Sequence, residues 1–360
     1  MIADRLKARI REQGPLSIAN FMTEALFDPV EGYYATKDPI GAGSDFITAP
    51  EVSQMFGELV GLFVLQSWVD LGRPERVQLI ELGPGRGTMM SDILRTARAL
   101  PGFLDAAQIT LIEASAALKS VQAQTLGPSG AQIGWADRLE AVAPGPSIIL
   151  GNEFLDCLPL RQAIRHHGSW HERMVTLGDD GEFVFALGPD LGPDTDLIPP
   201  RLRDLPEGQL AEFRPGDLQV VEALAARFKD APGRALFIDY GPATSEPGDT
   251  LQAIRAHEKV EVLDQPGTAD LTARVDFEAL GAAARAQGLA SYGPLGQGEF
   301  LNRMGLEARA AALSQSAPEK RALLARQVFR LTDPDQMGEL FKAMALQSPD
   351  LPEPPAFPAH

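Results

Sequence analysis

The sequence predicts an α/β protein with a Rossmann-like parallel sheet at its core. Short apolar strands alternate with helical segments between Val77 and Asp156, and this rhythm is typical of parallel sheets. The first of these strands runs into a glycine-rich turn, and a helical pattern begins at about Thr88. Strand, glycine turn and helix in this order open a Rossmann-like unit. The alternation breaks over residues 159–216 and then resumes, which indicates an insertion.

Residues 1–72 are predicted to form a helical extension before the sheet. Ile2–Gln13 has the pattern of an amphipathic helix, and Ser17 is a candidate cap for a second helix. A long loop rich in glycine, proline and aspartate follows, and a strongly apolar helix closes the region. Loops of this length are usually functional or disordered. Asp45 and Thr48 in this loop are interpreted either as turn and cap residues or as a cover over a bound cofactor.

The predicted core comprises residues 73–158 and 217–306. Residues 307–346 are predicted to be C-terminal helices, and residues 347–360 are predicted to be a poorly ordered proline-rich tail. The first core elements are a strand over Val77–Leu82, a helix from about Thr88, a strand over Gln108–Ser115, a helix in "AALKSVQAQTL" and short strands in "AQIGWAD" and "PSIILGNEFLD". After the insertion come a helix in "DLQVVEALAARF", a strand in "RALFIDYG", a helix in "DFEALGAAARAQGL" and a hairpin in "SYGPLGQGEFLNRMGL".

Residues 159–216 are predicted to be an inserted β meander followed by an acidic loop. Turn signals at His167-Gly168 and Asp180-Gly181 separate three antiparallel strands. Between Gly178 and Asp217 there are ten acidic residues and three arginines. The insertion is therefore expected to lie at the ligand edge of the sheet and to attract a basic partner.

Composition excludes some classes of protein. The net charge of -17 argues against an extended nucleic-acid surface and favours a basic partner. The single cysteine, Cys157, excludes an internal disulfide, and His166, His167 and His171 lack a carboxylate or cysteine partner at metal-ligand spacing, so no metal site is predicted. The start, "MIADRLKARIREQG", lacks the apolar core of a signal peptide, and no apolar run is long enough for a membrane span. We therefore expect a cytoplasmic protein without membrane insertion.

The glycine turn differs from the dinucleotide-binding pattern. Gly83, Gly85 and Gly87 have the spacing G-x-G-x-G, and Thr88 stands where the third glycine of a dinucleotide turn would be. Glu81 lies just before the turn, where a carboxylate would repel a pyrophosphate but attract an ammonium group. The turn therefore fits S-adenosylmethionine, which carries an ammonium, a carboxylate and a sulfonium. A nicotinamide or flavin cofactor is the alternative.

Acidic and aromatic side chains end the next two strands. Glu113 ends the second strand, where an acid can accept both ribose hydroxyls of a nucleoside. Trp135 and Asp137 end the third, and an aromatic face with a carboxylate suits an adenine ring and its amino group. Ligands of open parallel sheets bind outside the carboxyl ends of the strands. We therefore predict that these three residues bind the cofactor together with the glycine turn.

The fourth strand ends in a polar run, "GNEFLDCLP", that has two interpretations. In one, Asn152 caps a helix whose first turn contains Glu153 and Asp156. In the other, both acids share one face of that helix, grip the guanidinium of an acceptor arginine and take up its proton. We predict the second, with all three residues catalytic. If the run only starts a helix, the acceptor site lies at one of Asp239, His257 or Asp270.

Five separate motifs resemble one known family. "FDPVEGYY", "GSDFITAPEVSQMFGE", "NEFLD", "IDYG" and "DLTARVDF" are together similar to MidA-type S-adenosylmethionine-dependent methyltransferases, over roughly Phe21 to Leu306. This family includes a mitochondrial assembly factor of respiratory complex I, which makes symmetric dimethylarginine on a complex I core subunit. Arg274 departs from the family pattern, which usually has histidine at that place.

The resemblance implies a class I methyltransferase fold with a helical N-terminal extension and an inserted antiparallel β lid. It implies symmetric dimethylation of an arginine on a protein substrate, such as a complex I core subunit, in support of complex assembly. It also implies that Glu81, Gly83, Gly85 and Glu113 bind the cofactor and that "NEFLD" lies at the acceptor site. A non-catalytic assembly chaperone that keeps a cofactor pocket is a further alternative.

Overall fold

The computed structural model describes residues 1–36 and 48–357 of the chain. These residues belong to two compact units that alternate along the sequence. The first comprises Met1–Phe46, Leu155–Gln219 and Thr244–Ala279, and the second comprises Ile47–Phe154, Val220–Ala243 and Leu280–His360.

Helices occur in both units. Within the described residues they are α1 (Ile2–Gln13), α2 (Ile18–Phe27), α3 (Tyr33–Thr36), α4 (Ala49–Val52), α5 (Gln54–Asp70), α6 (Thr88–Ala97), α7 (Phe103–Ala106), α8 (Ala116–Leu126), α9 (Pro215–Asp230), α10 (Phe277–Ala286), α11 (Gln297–Arg303), α12 (Leu306–Ser316) and α13 (Arg321–Thr332). The predicted first helix is confirmed in α1. The predicted cap is also confirmed, because the Ser17 hydroxyl accepts a hydrogen bond from the Asn20 amide at 3.2 Å.

Strands form three sheets within the described residues. They are β1 (Leu16–Ser17), β2 (Val77–Leu82), β3 (Ala107–Ile112), β4 (Ile133–Ala136), β5 (Ser147–Asn152), β6 (Arg161–His166), β7 (Ser169–Leu177), β8 (Phe183–Asp190), β9 (Leu210–Phe213), β10 (Gly233–Tyr240), β11 (Gln252–Arg255), β12 (Glu258–Val260), β13 (Asp270–Thr272), β14 (Ala290–Gly296) and β15 (Phe341–Gln347).

The first unit is built on two antiparallel sheets. One has the strand order β1-β7-β6-β9, with β8 also paired to β7, and the other has the order β12-β11-β13. His167 and Gly168 connect β6 to β7 with φ of 49° and 80°, the left-handed conformation that tight hairpin turns use. Gly181, with φ 78°, lies in the turn between β7 and β8. The predicted antiparallel meander and its two turns are therefore confirmed.

The second unit is built on a sheet in the order β14-β15-β10-β5-β2-β3-β4. The five strands from β10 to β4 are parallel, as predicted, whereas β15 runs antiparallel to both β10 and β14. The chain passes from β2 outward to β3 and β4 and then returns to β5 on the other side of β2. This reversal creates a topological switch point at the carboxyl ends of β2 and β5, which is the usual ligand position in such sheets.

Helix α5 is buried over most of its surface and packs against α6. Gly57 and Gly61 allow the close approach, because a Cβ at Gly57 would lie 2.6 Å from the Cβ of Asp92 and one at Gly61 would lie 2.9 Å from the Cβ of Thr96. Phe56, Phe63 and many other core side chains of the helix are fully buried. This packing fixes α6 behind the glycine turn that precedes it.

Two predictions for the C-terminal part are wrong. Residues 341–347 form β15 rather than the end of a helix, because a short run with an apolar centre has the same pattern in a buried strand as in a buried helix. The predicted hairpin does not form, since β14 pairs with β15 and the next residues form α11.

The proline-rich tail is not a loose segment as far as Phe357. The buried Arg234 guanidinium donates to the Pro352 carbonyl at 2.6 Å. Phe357 is buried, with its ring centroid 5.8 Å from that of Phe300. Over residues 1–36 and 48–357 the helices are too short or too polar to cross a membrane.

Candidate cofactor and acceptor sites

The glycine turn after β2 has the backbone conformation that its three glycines permit. Gly83, Gly85 and Gly87 have φ of 59°, 53° and 79°, which side chains rarely adopt. The Gly83 amide donates to the Ile112 carbonyl at 3.1 Å, which anchors the turn to β3. A Cβ at Gly83 would lie 3.0 Å from the ring of Phe154, so the turn and the segment after β5 pack closely.

Glu81 lies at the end of β2 and is 2% exposed. Burial raises its pKa to about 8, because the charged form loses its hydration. Its Oε2 atom has no hydrogen-bond partner among the described residues. A buried carboxyl group with an unused acceptor costs free energy unless a donor or cation meets it. Glu81 is therefore suited to receive a cationic group at the switch point.

Glu113 follows β3 and is held by backbone and side-chain donors. The Ser115 amide donates to Oε1 at 2.8 Å, and the side-chain amide of Gln122 donates to Oε2 at 3.1 Å. Burial raises the pKa of Glu113, while these donors act in the opposite direction. A carboxylate oxygen accepts more than one hydrogen bond, so each oxygen can still accept a ligand hydroxyl.

Trp135 is connected to the same group of residues. Its indole N–H donates to Oε1 of Gln122 at 2.8 Å. Gln122 was not predicted as a site residue. A signal was present, because Leu118, Gln122 and Leu126 follow one another at helical spacing, and a glutamine on an apolar helix stripe needs a buried partner.

Asp137 and Thr48 are not part of the hydrogen-bond network formed by Glu113, Gln122 and Trp135. The Asp137 side chain is 77% exposed and accepts from the Lys119 ammonium at 2.8 Å, which lowers its pKa. Thr48 precedes α4, and its carbonyl accepts from the amides of Glu51 and Val52. Asp45 lies outside the described residues.

Glu51 is a second residue that the sequence reasoning missed. The Thr88 hydroxyl donates to Oε1 of Glu51 at 2.5 Å. Thr88 begins α6 directly after the glycine turn. The residue that replaces the third glycine of a dinucleotide turn thus connects the turn to α4.

The polar run after β5 does not start a helix. Glu153 has φ 51°, which a right-handed helix excludes, and the following residues form turns. The prediction that Glu153 and Asp156 share one helix face is therefore wrong. Nothing in the local sequence indicated the left-handed residue, since asparagine and acidic residues also mark ordinary helix starts.

The Glu153 carboxylate is already engaged with neighbouring groups. Its Oε1 accepts from the Ala49 amide at 3.1 Å and from the Asn152 side chain at 3.2 Å. Burial, with a contribution from the nearby Asp239, raises its pKa to about 7. Oδ1 of Asn152 is buried and has no hydrogen-bond partner among the described residues. The end of β5 therefore presents a carboxyl group that titrates near neutral pH beside an unused amide oxygen.

Asp239 supports this turn from the end of β10. It is fully buried, its Oδ2 accepts from the Phe154 amide at 3.0 Å, and its Oδ1 accepts from the Tyr240 amide at 2.8 Å. These bonds hold the backbone that follows Glu153.

Asp156 belongs to the first unit. Its backbone carbonyl accepts from the Ala273 amide at 2.9 Å. The Tyr34 hydroxyl donates to Asp270 at 3.0 Å, and burial together with Asp270, Cys157 and Asp156 raises the pKa of Tyr34. These four side chains are therefore close neighbours within the first unit.

His257 and Arg274 occupy turn and loop positions of the first unit. His257 lies between β11 and β12 with φ 66°. The Arg274 guanidinium pairs with Glu246 at 3.0 Å, and its backbone amide donates to the Thr250 hydroxyl at 3.0 Å. In the part of the chain that the structure describes, no group of three or more histidine, cysteine or acidic residues could hold a metal ion.

Comparison with known sequences gives a consistent result. A family described as putative S-adenosyl-L-methionine-dependent methyltransferase matches residues 59–295. The chain is 36% identical to "Protein arginine methyltransferase NDUFAF7, mitochondrial" of Danio rerio, over 95% of this chain and 85% of that protein. It is 35% identical to the Homo sapiens protein of the same name, over 95% of this chain and 82% of that one.

Solved structures agree with these relatives. A COG1565 superfamily member from Burkholderia thailandensis, bound to S-adenosyl-homocysteine, superposes with a TM-score of 0.84 at 28% identity and covers 99% of this chain and 93% of its own. A native structure of a COG1565 superfamily protein from the same organism gives 0.85 at 28% identity, with 99% and 94% covered. The predicted class I methyltransferase fold is confirmed, as is S-adenosylmethionine as the cofactor.

The prediction of a cytoplasmic protein is wrong, because the relatives are named as mitochondrial proteins. The prediction used the single cysteine and the composition of the first residues. A lone cysteine excludes an internal disulfide but does not distinguish one reducing compartment from another.

Proposed function

Because the chain belongs to the family of S-adenosyl-L-methionine-dependent methyltransferases, we propose that it methylates an arginine side chain of a protein substrate. The observation that carries this proposal is the similarity to protein arginine methyltransferases along 95% of the chain. The carboxyl groups at the switch point support it, since a guanidinium substrate and an ammonium-bearing cofactor are both cationic.

We propose that the ends of β2, β3 and β4 bind the cofactor. When bound, S-adenosylmethionine supplies an activated methyl group on its sulfonium. The unused oxygen of the buried Glu81 fits the ammonium group of this cofactor, and the oriented carboxylate of Glu113 fits its ribose hydroxyls. Trp135 faces the adenine in this arrangement. The remaining proposed contacts are with the backbone of Gly83, Gly85 and Gly87 and with Asp137, Asp45 and Thr48.

At the acceptor side we propose Glu153 and Asn152, at the end of β5, as the residues that handle the arginine; a catalytic role for Asp156 rests on its place in the "NEFLD" motif alone. Glu153 has a pKa of about 7, so it can accept the proton that leaves the methylated nitrogen at neutral pH. The unused oxygen of Asn152 can accept a guanidinium N–H. Methyl transfer needs mainly position and electrostatic support from the protein, and these are what such groups provide.

More specifically, we propose that the substrate is a core subunit of respiratory complex I. An arginine of this subunit is converted to symmetric dimethylarginine, which supports assembly of the complex. The acidic segment from Gly178 to Asp217, with ten acidic residues and three arginines, attracts a basic protein region. The same attraction weakens at high salt.

The test is mass spectrometry of complex I subunits from a strain with and without this gene. Dimethylarginine that disappears with the gene, and returns with the parent gene, supports the proposal. Complementation with Glu153→Gln separates catalysis from a chaperone role, with the exposed Glu140→Gln as its matched control. Assembly restored by Glu153→Gln without dimethylarginine would favour the chaperone.

A further inference from the structure

Gln122 is a polar side chain on the apolar face of α8. It is 0% exposed, and it lies between Leu118 and Leu126, which are also buried. A buried amide is costly unless its hydrogen bonds are made. The partners of Gln122 therefore explain why a glutamine is held here.

The three partners of Gln122 come from three different elements. Its Nε2 donates to the Gly85 carbonyl at 2.8 Å and to Oε2 of Glu113 at 3.1 Å, and its Oε1 accepts from the Trp135 indole at 2.8 Å. The indole nitrogen can only donate and the other two partners can only accept here, so the amide has one possible orientation. An apolar residue of the same size would make none of these bonds.

We propose that Gln122 is a positioning residue that fixes the nucleoside half of the cofactor site, a role that rests on the site proposed above. Through Glu113 it orients the carboxylate that accepts the ribose hydroxyls. Through Trp135 it sets the ring beside the adenine. Because one side chain bonds both, it fixes the distance between the ribose and adenine contacts before the cofactor arrives.

Removing the Gln122 side chain leaves the hydrogen bond from the Ser115 amide to Glu113 in place. That amide holds Oε1 of Glu113 at 2.8 Å, so Glu113 keeps a backbone donor. Trp135 keeps its place in β4 but loses the hydrogen bond from its indole N–H to Gln122. Without Gln122, both Glu113 and Trp135 therefore remain in the site, but their side chains are less well oriented.

The test is Gln122→Met, which preserves length and helix propensity and removes all three bonds. The Kd for S-adenosyl-homocysteine is expected to rise about tenfold to a hundredfold, the scale of lost hydrogen bonds to a charged group. The Kd for adenosine alone is expected to rise by the same factor, because adenosine contains only the part that Gln122 positions. In turnover, the change should fall on the KM for the cofactor rather than on kcat.

The matched control is Gln297→Met. Gln297 is also 0% exposed, and its side chain donates to the Leu331 carbonyl at 3.0 Å in α13. Both variants should lower the melting temperature, but Gln297→Met should keep the parental Kd for both ligands. Equal losses of affinity in the two variants would show a general loosening and overturn the proposal.

A double-mutant cycle with Glu113→Ala separates the positioning role of Gln122 from the existence of the cofactor site. If Gln122 positions Glu113, the combined loss is smaller than the product of the single losses, and independent losses overturn the positioning of Glu113 by Gln122. A parental Kd in Glu113→Ala overturns the cofactor site itself. If Gln122→Met does not fold, Gln122→Glu keeps the side-chain length and the acceptor for the Trp135 indole N–H, but it loses at least one of the two hydrogen bonds donated to Gly85 and Glu113. A weaker Kd for adenosine then supports the proposal, and a parental Kd overturns it.

Discussion

Replacing Glu81 with glutamine is expected to abolish a proton release that accompanies cofactor binding. The Glu81 carboxyl group is buried and its pKa is raised to about 8, so it is mostly protonated at pH 7 before binding. An ammonium group at hydrogen-bond distance favours the ionised form and lowers that pKa. Cofactor binding is therefore expected to release the Glu81 proton into solution.

The magnitude follows from the pKa. At pH 7 a group with a pKa of about 8 is roughly nine-tenths protonated, so about 0.9 proton leaves per cofactor bound. The apparent Kd is expected to fall about tenfold for each pH unit between pH 6 and pH 7.5. At pH 9 the carboxyl group is already ionised, and the release falls to about 0.1 proton.

The assay is titration calorimetry at pH 7 in two buffers with different enthalpies of ionisation, for the parent and for Glu81→Gln. The buffer dependence of the heat gives the number of protons released. The ammonium group of the ligand also titrates near pH 8, but its contribution is common to both proteins. The difference between them reports Glu81 alone. Equal proton counts in the two proteins would refute the reasoning.

The same pKa predicts a change in stability without cofactor. The folded-state pKa of Glu81 lies above its ordinary value of 4.5, so its contribution to stability is complete below pH 4.5 and is lost as the pH rises to 8. The full loss is at most about 5 kcal/mol. In Glu81→Gln the free energy of unfolding should fall less between pH 5.5 and pH 8.5, as urea denaturation would measure.

The remaining predictions concern four further positions. Glu113→Ala should weaken cofactor binding by about 1–3 kcal/mol in calorimetry, and parental affinity would contradict its ribose role. Gly85→Val should abolish binding because its side chain would stand where the ligand approaches the backbone. Gly130→Val has a similar positive φ (73° against 53°) but lies in open space outside the proposed site, so it should cost similar stability and bind normally. Glu153→Gln should keep cofactor affinity but lower the methylation rate about a hundredfold or more, and Asp156→Asn should have the same effect or less. Parental rates would move the acceptor site elsewhere.

The parallel core was predictable because its signals are local. Each of the predicted strands from Val77 to Gly151 is a short apolar run followed by polar or glycine residues, and β2 to β5 form there. The carboxyl ends of parallel strands meet at one edge, so the sequence alone assigns Glu81 and Glu113 to that edge. The antiparallel meander was predictable for a similar reason, since its turns carry glycine.

Other features depended on contacts between distant residues. Phe341–Gln347 is a run with an apolar centre whose partner strands begin at Gly233 and Ala290, and nothing within the run distinguishes a buried strand from a helix. Gln122 is visible in the sequence only as an interruption of a helix stripe, because its partners are on other elements. Sequence patterns report hydrophobic periodicity and local residue chemistry, whereas these features are determined by contacts with distant residues.

The left-handed backbone of Glu153 is a local feature that depends on tertiary contacts. A non-glycine residue with φ 51° carries a cost of about 1–3 kcal/mol and persists only when its surroundings determine it. Here the Glu153 amide donates to the Ile238 carbonyl at 2.9 Å, its carboxylate accepts from the Ala49 amide, and Asp239 holds the next amide. A helix at this place would have needed none of these bonds. The strain instead turns the chain at the end of β5, so that the Glu153 carboxyl group, with its pKa near 7, lies at the switch point rather than along a helix face.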